Sequence, residues 1–232
     1  MQKLSRRMEV VAGLCRAGDC VADVGCDHAY VSIRLLQQQC FVHAIAMDVR
    51  KGPLAAAAEH VAASGLSDQI ECRLSDGVSA LETGEADALI CAGMGGVLII
   101  SILSAGMEKV RRMRQLILQP QSDTASVRAF LRKNGFVIEA EEMVEEEGKF
   151  YNAFRAVPGS SEEDTDELFL YYGKDCLERK DPVLKRFLKR EKRINSEVLA
   201  QLSAAGGSRA GERRAEVEKS LLRIERALAY YT

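Results

Sequence analysis

No run of 18 apolar residues occurs in this 232-residue chain, so no membrane-spanning helix is expected. The opening stretch, MQKLSRRMEVVAGLCRAGD, lacks the unbroken apolar core and small-residue cleavage site of a secretory signal. It reads as the first helix of a soluble protein, and a cytoplasmic location is the expectation. Neither sign of charge dominates: 32 Lys and Arg face 34 Asp and Glu, a net charge of -2. That balance excludes a uniformly basic nucleic-acid coat and leaves room for local basic patches. The seven cysteines (15, 20, 26, 40, 72, 91 and 176) contain no CxxC pair, and the three histidines (28, 43 and 60) fall in no metal-ligand spacing. No metal site is expected, and the cysteines read as buried, reduced thiols.

What is present is a strong alternation. Short β-like runs cover 21–24, 44–48, 70–74, 88–92, 115–119, 136–144 and 150–157. Helical stretches at 29–39, 53–64, 97–105 and 124–133 alternate with these runs, a pattern that predicts a parallel sheet with helices on both faces. The last two runs are joined only by Glu145-Glu146-Glu147-Gly148-Lys149, which reads as a hairpin placing one antiparallel strand at the sheet edge. The carboxylates there (Glu139, Glu141, Glu142 and 145–147) read as a solvated edge that discourages further strand pairing. The expected fold is a seven-stranded, mostly parallel Rossmann-like α/β domain over 1–158.

Residues 158–166 (PGSSEEDTD) form a turn-rich acidic linker. Beyond it, 167–232 reads as a C-terminal helical hairpin domain. Val183, Leu184, Phe187, Leu188, Ile194, Val198 and Leu202 follow helical spacing, and 204–211 with its three glycines predicts a loop. Val217, Leu221, Ile224, Leu228 and Tyr231 then follow the 4-3-4-3 spacing of a coiled-coil seam. This part is basic: 166–232 holds 15 Lys and Arg against 11 Asp and Glu, net +4, which leaves -6 for 1–165. A solvated helical face explains the charge as well as a nucleic-acid surface does. The seam packs within one chain or between two; a monomer is the expectation, with a dimer left open.

Chemistry-bearing residues gather at the ends of the runs, where parallel sheets bind ligands. The first run ends in Ala22-Asp23-Val24-Gly25-Cys26-Asp27-His28-Ala29-Tyr30. Gly25 permits a tight turn and close approach of a ligand. The dinucleotide fingerprint needs glycine at 27 and 30, which are Asp27 and Tyr30 here, so a pyrophosphate would meet a carboxylate. An acidic loop suits a cationic cofactor without phosphate, such as S-adenosyl-L-methionine. Asp48 ends the second run, placed for ribose hydroxyls, and Asp76-Gly77 follows the third, placed for the adenine amino group. Ala92-Gly93-Met94-Gly95-Gly96 ends the fourth and exposes backbone at the centre of the sheet. Gln119-Pro120-Gln121 ends the fifth, where Gln119 offers an amide to a base edge. A single strand-end Asp also serves as a helix cap; three in successive units on one rim argue for a ligand.

These runs carry a specific resemblance. The chain resembles the class I S-adenosylmethionine-dependent methyltransferases, and within them the bacterial TrmK family, which methylates N1 of adenine 22 in tRNA. The matching features are Leu4-Ser5-Arg6-Arg7, D-V-G-C-D-H-A-Y at 23–30, Gly52-Pro53, Asp76-Gly77, A-G-M-G-G at 92–96, L-I-L-Q-P at 116–120 and G-K-F-Y at 148–151. The resemblance spans the whole chain, including the C-terminal helical hairpin. Departures are Ser32 where proline is common, Gln121 where asparagine is common, and Asn152 where glutamate often follows G-K-F-Y.

The resemblance implies methyl transfer from S-adenosyl-L-methionine to tRNA. Asp27 and His28 would be catalytic, with Asp27 taking a proton from the methylated base. Asp27 as a helix N-cap and His28 as a packed histidine are the competing readings. Asp23, Gly25, Cys26, Tyr30, Asp48, Asp76, Gly77, Ala92, Gly93, Met94 and Gly95 would hold the cofactor. Arg7, Gln119, Pro120, Tyr151, Lys189 and Arg190 would hold the RNA. Arg6, Lys109, Arg111, Arg112, Arg114, Lys185, Arg186, Lys192 and Arg193 are further RNA-facing candidates. Rival readings are another RNA or a protein as acceptor, a non-catalytic cofactor or RNA binder, and a nicotinamide dehydrogenase, the last disfavoured by the missing glycines.

Overall fold

The computed structural model describes residues 4–160, 166–204 and 208–232, which form two compact units, Met1–Glu162 and Glu163–Thr232. The first unit contains α1 (Arg6–Gly13), β1 (Gly18–Val24), α2 (Tyr30–Gln37), β2 (Phe41–Asp48), α3 (Lys51–Ala63), β3 (Ile70–Leu74), β4 (Ala88–Met94), α4 (Gly96–Ala105), α5 (Met107–Val110), β5 (Gln115–Pro120), α6 (Thr124–Lys133), β6 (Phe136–Glu146) and β7 (Lys149–Pro158). The second contains α7 (Glu167–Tyr172), α8 (Lys174–Glu178), α9 (Pro182–Ala204) and α10 (Ser208–Ala229).

The sheet order is β3-β2-β1-β4-β5-β7-β6. The first five strands are parallel, and β7 runs antiparallel to both β5 and β6. The expected antiparallel strand is therefore β7. It lies one place in from the edge, and β6 is outermost. The central strands are covered on both faces, as their unbroken apolar runs require. Leu89, Ile90 and Cys91 of β4 and Leu116, Ile117 and Leu118 of β5 are fully buried. Side chains alternating across the sheet feed two cores. One gathers Val24, Met47, Leu89, Leu116 and Phe154, the other Val21, Leu35, Ala46, Ile90 and Ile117. The strand order reverses between β1 and β4, and such a reversal opens a crevice at the carboxyl ends of the strands.

The acidic edge is only partly solvated. Glu141 is buried and pairs at 2.7 Å with the buried Arg128 of α6, whose guanidinium also donates to Asn152 Oδ1 at 2.7 Å. The reading of Glu141 as surface charge is thus corrected. A β-bulge between Ile138 and Ala140 inserts Glu139 and turns the following residues to the other face. Glu139 itself pairs with Arg16 and Arg155.

In the second unit α9 and α10 pack as a hairpin. Asp181 starts α9: its Oδ1 accepts from the amides of Val183 and Leu184, both at 2.8 Å, with Pro182 at the first helical position. Tyr231 at the far end of α10 donates to the Asp181 carbonyl at 2.9 Å, which ties the two helix ends together. Val217, Ile224 and Ala227 are buried, whereas Leu221 and Leu228 are half-buried. Ala227 lies outside the expected heptad set, and the expected helical hairpin is present. The expected loop at 204–211 is shorter: α10 already begins at Ser208 and runs through Gly211, and 205–207 lie outside the described residues. The short helices α7 and α8 have no clear periodicity in the sequence; Asp166 caps α7 by accepting from the Leu168 amide. No described helix is long and apolar enough to cross a membrane.

Candidate active site

A cavity of about 550 Å³ opens at the carboxyl ends of β1, β2 and β4. Asp23, Gly25, Cys26, Asp27, His28, Tyr30, Asp48, Ala92, Gly93 and Met94 all line it, together with Arg7 from α1. The loop after β1 is shaped by three residues in left-handed backbone: Gly25 (φ 69), Asp27 (φ 49) and Ala29 (φ 58). Two of these are not glycine, and such conformations cluster where a loop is held for a ligand. At Gly25 a Cβ would run into the Met94 Cε, so a side chain there would fill the cradle between β1 and β4. Gly93 (φ 77) is the second position whose backbone excludes an ordinary side chain.

Asp27 is not a helix cap: α2 starts at Tyr30, its N-cap position is Ala29, and no side chain caps it. The Asp27 carboxylate is instead 76% exposed and stands 3.7 Å from His28 Nε2. The packed reading of His28 holds in part. Its ring stacks on Tyr30 at 5.3 Å and meets His60 edge-on at 5.2 Å, yet it still lines the cavity beside Asp27. Asp23 is buried at the cavity floor, where Ser32 Oγ donates to its Oδ2 at 2.8 Å. Burial pushes its carboxyl up to about 6, against the lowering effect of the Ser32 hydrogen bonds. Ser32 thus supplies a donor that proline could not. Asp48 is buried and accepts from the Arg50 amide at 2.8 Å. Burial, aided by the neighbouring Asp23 and Asp48 carboxylates, raises the Cys26 thiol well above its ordinary range, so it stays protonated.

Other expected residues lie around this cavity rather than in it. Asp76 and Gly77 line an adjoining cavity of about 210 Å³ that shares Leu98 with the first. Gly95 starts α4 as its N-cap residue. Gln119 is buried behind Gly93, and its Oε1 accepts from the Gly93 amide at 3.0 Å and from Arg7 at 3.3 Å. Pro120 pairs with Met94 across β4 and β5. Tyr151 lies under the Arg7 guanidinium at 5.3 Å, and Glu146 pairs with the same arginine at 3.6 Å. Arg7 is therefore the link between the cavity and β5, β6 and β7. Lys189 and Arg190 are exposed on α9 in the second unit.

The acids at the strand ends, the bare backbone at Gly25 and Gly93, and a cavity of this volume fit a cationic nucleoside cofactor. A family model described as tRNA (adenine(22)-N(1))-methyltransferase, TrmK, matches residues 21–226. The chain belongs to this family. It is 37% identical over 171 residues to the tRNA (adenine(22)-N(1))-methyltransferase of Bacillus subtilis, covering 74% of this chain and 72% of that one. The solved structure of the B. subtilis m1A22 tRNA methyltransferase TrmK superposes with a TM-score of 0.88 at 30% identity, covering 98% of this chain and 100% of that one. Streptococcus pneumoniae Sp1610 in complex with S-adenosyl-L-methionine superposes with a TM-score of 0.87 at 31% identity, covering 97% and 100%.

Within this TrmK chain, some cavity residues were not anticipated: Met8, Val31, Arg50 and Leu98. Arg50 follows the strand-end Asp48 by two residues, a position readable in retrospect from that acid. His60 carries no local signal, because it reaches Tyr30 from α3 across 30 residues. Lys109, expected to face RNA, instead donates to the carbonyls of Val78 and Ser79 at 3.1 and 2.9 Å. Lys192 pairs with Glu225 and Arg193 with Glu197. Three cysteines are buried and four are half-buried, and none of the seven forms a disulfide.

Proposed function

We propose that this chain transfers a methyl group from S-adenosyl-L-methionine to N1 of adenine 22 in tRNA, with Asp27 as the catalytic carboxylate and His28 as its partner. The observation that carries the assignment is an exposed Asp27 held in left-handed backbone on the cavity wall, next to His28 and serving no helix as a cap. Bound in the cavity, the cofactor supplies an electrophilic methyl on a sulfonium sulfur. Adenine N1 has an in-plane lone pair, so no strong base is needed to create the nucleophile. The tasks left to the chain are alignment and exclusion of water. Methylation puts a positive charge on the ring until N6 loses a proton. Asp27 stabilises that charge and accepts the proton, and His28 orients the carboxylate. The target base has to leave its stack for N1 to react, and Tyr151 under Arg7 is the platform on which it rests. Asp23 takes the cofactor's ammonium, Asp48 its ribose, and Asp76 with Gly77 its adenine. Gln119 and Pro120 bound the base. The experiment is nucleoside analysis of unmodified tRNA after incubation with the protein and labelled cofactor: labelled 1-methyladenosine supports the reading, and its absence defeats it.

Asp23 gives this site a pH signature. A carboxyl raised to about 6 in the fold favours folding of the free chain at low pH, and that contribution is lost as the pH rises through 6. For a fully buried group it amounts to about 3 kcal/mol. Cofactor binding has the opposite sign, because the ammonium needs the ionised carboxylate. Its affinity is expected to fall by up to about tenfold per pH unit below 6. Titration calorimetry between pH 5 and 8 should show this slope in the wild type and lose it in Asp23→Asn. A flat wild-type profile would remove Asp23 from the ammonium site.

The exposed Lys189 and Arg190 on α9 are the RNA contacts of the second unit. Each phosphate contact adds about 0.9 to the slope of log affinity against log salt for a duplex, or about 0.7 for a single strand. Lys189→Ala/Arg190→Ala is therefore expected to lower the slope for tRNA by about 1.5 in filter binding, whereas an unchanged slope would place the RNA elsewhere. Packing of α9 on α10 within one chain supports a monomer, and seven cysteines outside disulfides together with a tRNA substrate support a cytoplasmic location.

A further inference from the structure

A second pocket, of about 220 Å³, lies between α2 and α3 and shares only Leu4 and Tyr30 with the cofactor cavity. Its polar lining is Tyr30, Arg34, Gln37, His60 and Ser64, and among the described residues no Asp or Glu lines it. Two of its groups are buried without a hydrogen-bond partner, Arg34 Nε and His60 Nδ1. Arg34 is held from outside the pocket by Glu9, at 3.4 Å through a terminal guanidinium nitrogen, which leaves Nε unused. His60 Nε2 lies 3.2 Å from the Tyr30 hydroxyl. With that hydroxyl donating, the ring proton sits on Nδ1, so His60 presents a donor there. Buried donors without acceptors are costly and rare in native proteins. A cationic guanidinium, an imidazole N–H, an amide and a hydroxyl around one small cavity form the donor set that recognises a tetrahedral oxyanion.

We infer that the α2–α3 pocket is an anion site that takes a phosphate group, seated on Arg34 and His60. Tyr30 separates this pocket from the cofactor cavity, so an anion held here rests against the residue that stacks on His28. The same chemistry has two sources, a phosphate of an RNA backbone or free inorganic phosphate. The first rests on the tRNA reading; the second is independent of it.

Gln37 is exposed at the pocket wall, so Gln37→Glu introduces a like charge while leaving Arg34 and His60 in place. Wild type and variant are titrated calorimetrically with inorganic phosphate, with chloride at matched ionic strength as the blank. Their melting temperatures in chloride report that the fold is intact. Phosphate binding by the wild type, weakened about tenfold or more in Gln37→Glu, is the expected result. Ser64→Asp, which brings the charge from the residue that caps the end of α3, should reproduce it if Gln37→Glu folds poorly. Filter binding of unmodified tRNA then separates the sources. A salt slope reduced by about 1 in the variant identifies an RNA phosphate, and an unchanged slope with phosphate binding lost identifies free phosphate. Equal phosphate affinity in wild type and variants overturns the site. So does a wild type that binds no phosphate while all the proteins share one tRNA salt slope. Neither reading depends on methyl transfer, so loss of activity alone would leave this result standing.

Discussion

Asp27→Ala should lower the single-turnover rate of methyl transfer about 10²- to 10⁴-fold, the usual contribution of a positioned acid or base. Cofactor affinity should change by less than about tenfold, because the carboxylate is largely exposed and screened by solvent. The split matters. Asp27 lines the cofactor cavity, so a residue that merely completes the cofactor cradle would weaken binding and leave the rate at saturating cofactor intact. Asp27→Asn separates shape from charge: the amide keeps the volume and removes the group that holds the ring's positive charge and takes the N6 proton. It should therefore be nearly as slow as alanine. Single-turnover kinetics at saturating cofactor, beside calorimetric binding, make the comparison. A variant that binds cofactor poorly but reacts at the wild-type rate once saturated would return Asp27 to the cradle.

The largest expected effect on stability lies away from the cavity. Glu141→Ala removes the carboxylate that stands 2.7 Å from the buried Arg128, and breaking one side of such a pair costs about 3–5 kcal/mol. For a chain of this size that corresponds to a fall in melting temperature of about 6–20 °C. Asn152 still accepts from Arg128, and the guanidinium still lies over the Phe154 ring at 5.2 Å, so the lower end is the better expectation. Arg128→Met/Glu141→Leu removes both charges and keeps the volume, and should recover most of the loss. Differential scanning calorimetry of the three proteins tests this. If the double variant melts as low as the single one, the pair contributes through packing rather than through charge. Neither residue lines the cavity, so methylation per folded molecule should be unchanged at low temperature.

The contrast between these two sites explains what the sequence discloses. The central strands are legible because each is a short apolar run bounded by turn residues, a signal that needs no long-range knowledge. The cofactor rim follows directly, since strand ends in a parallel sheet point the same way and Asp23, Asp48, Gly25 and Gly93 sit at such ends. Glu141 is hidden because the bulge at Glu139 breaks the alternation that would have marked it as inward-facing. The position of β7 between β5 and β6 is hidden because a hairpin can join a sheet by either strand. His60 escapes for a third reason: its contacts with Tyr30 and His28 join α3 to the start of α2 and the loop before it, and no spacing in the chain encodes such a meeting. The burial of Asp23 and its bond from Ser32 are likewise tertiary facts, although both residues sit in a motif that stands out in the sequence.

The most direct test of the central claim uses one pair of tRNA transcripts that differ only at position 22. Wild-type protein, labelled S-adenosyl-L-methionine and unmodified transcript should give one labelled nucleoside, 1-methyladenosine. The transcript with guanine in place of adenine 22 should give none. Equal labelling of the two transcripts, or label in any nucleoside other than 1-methyladenosine, would contradict the assignment of substrate and position.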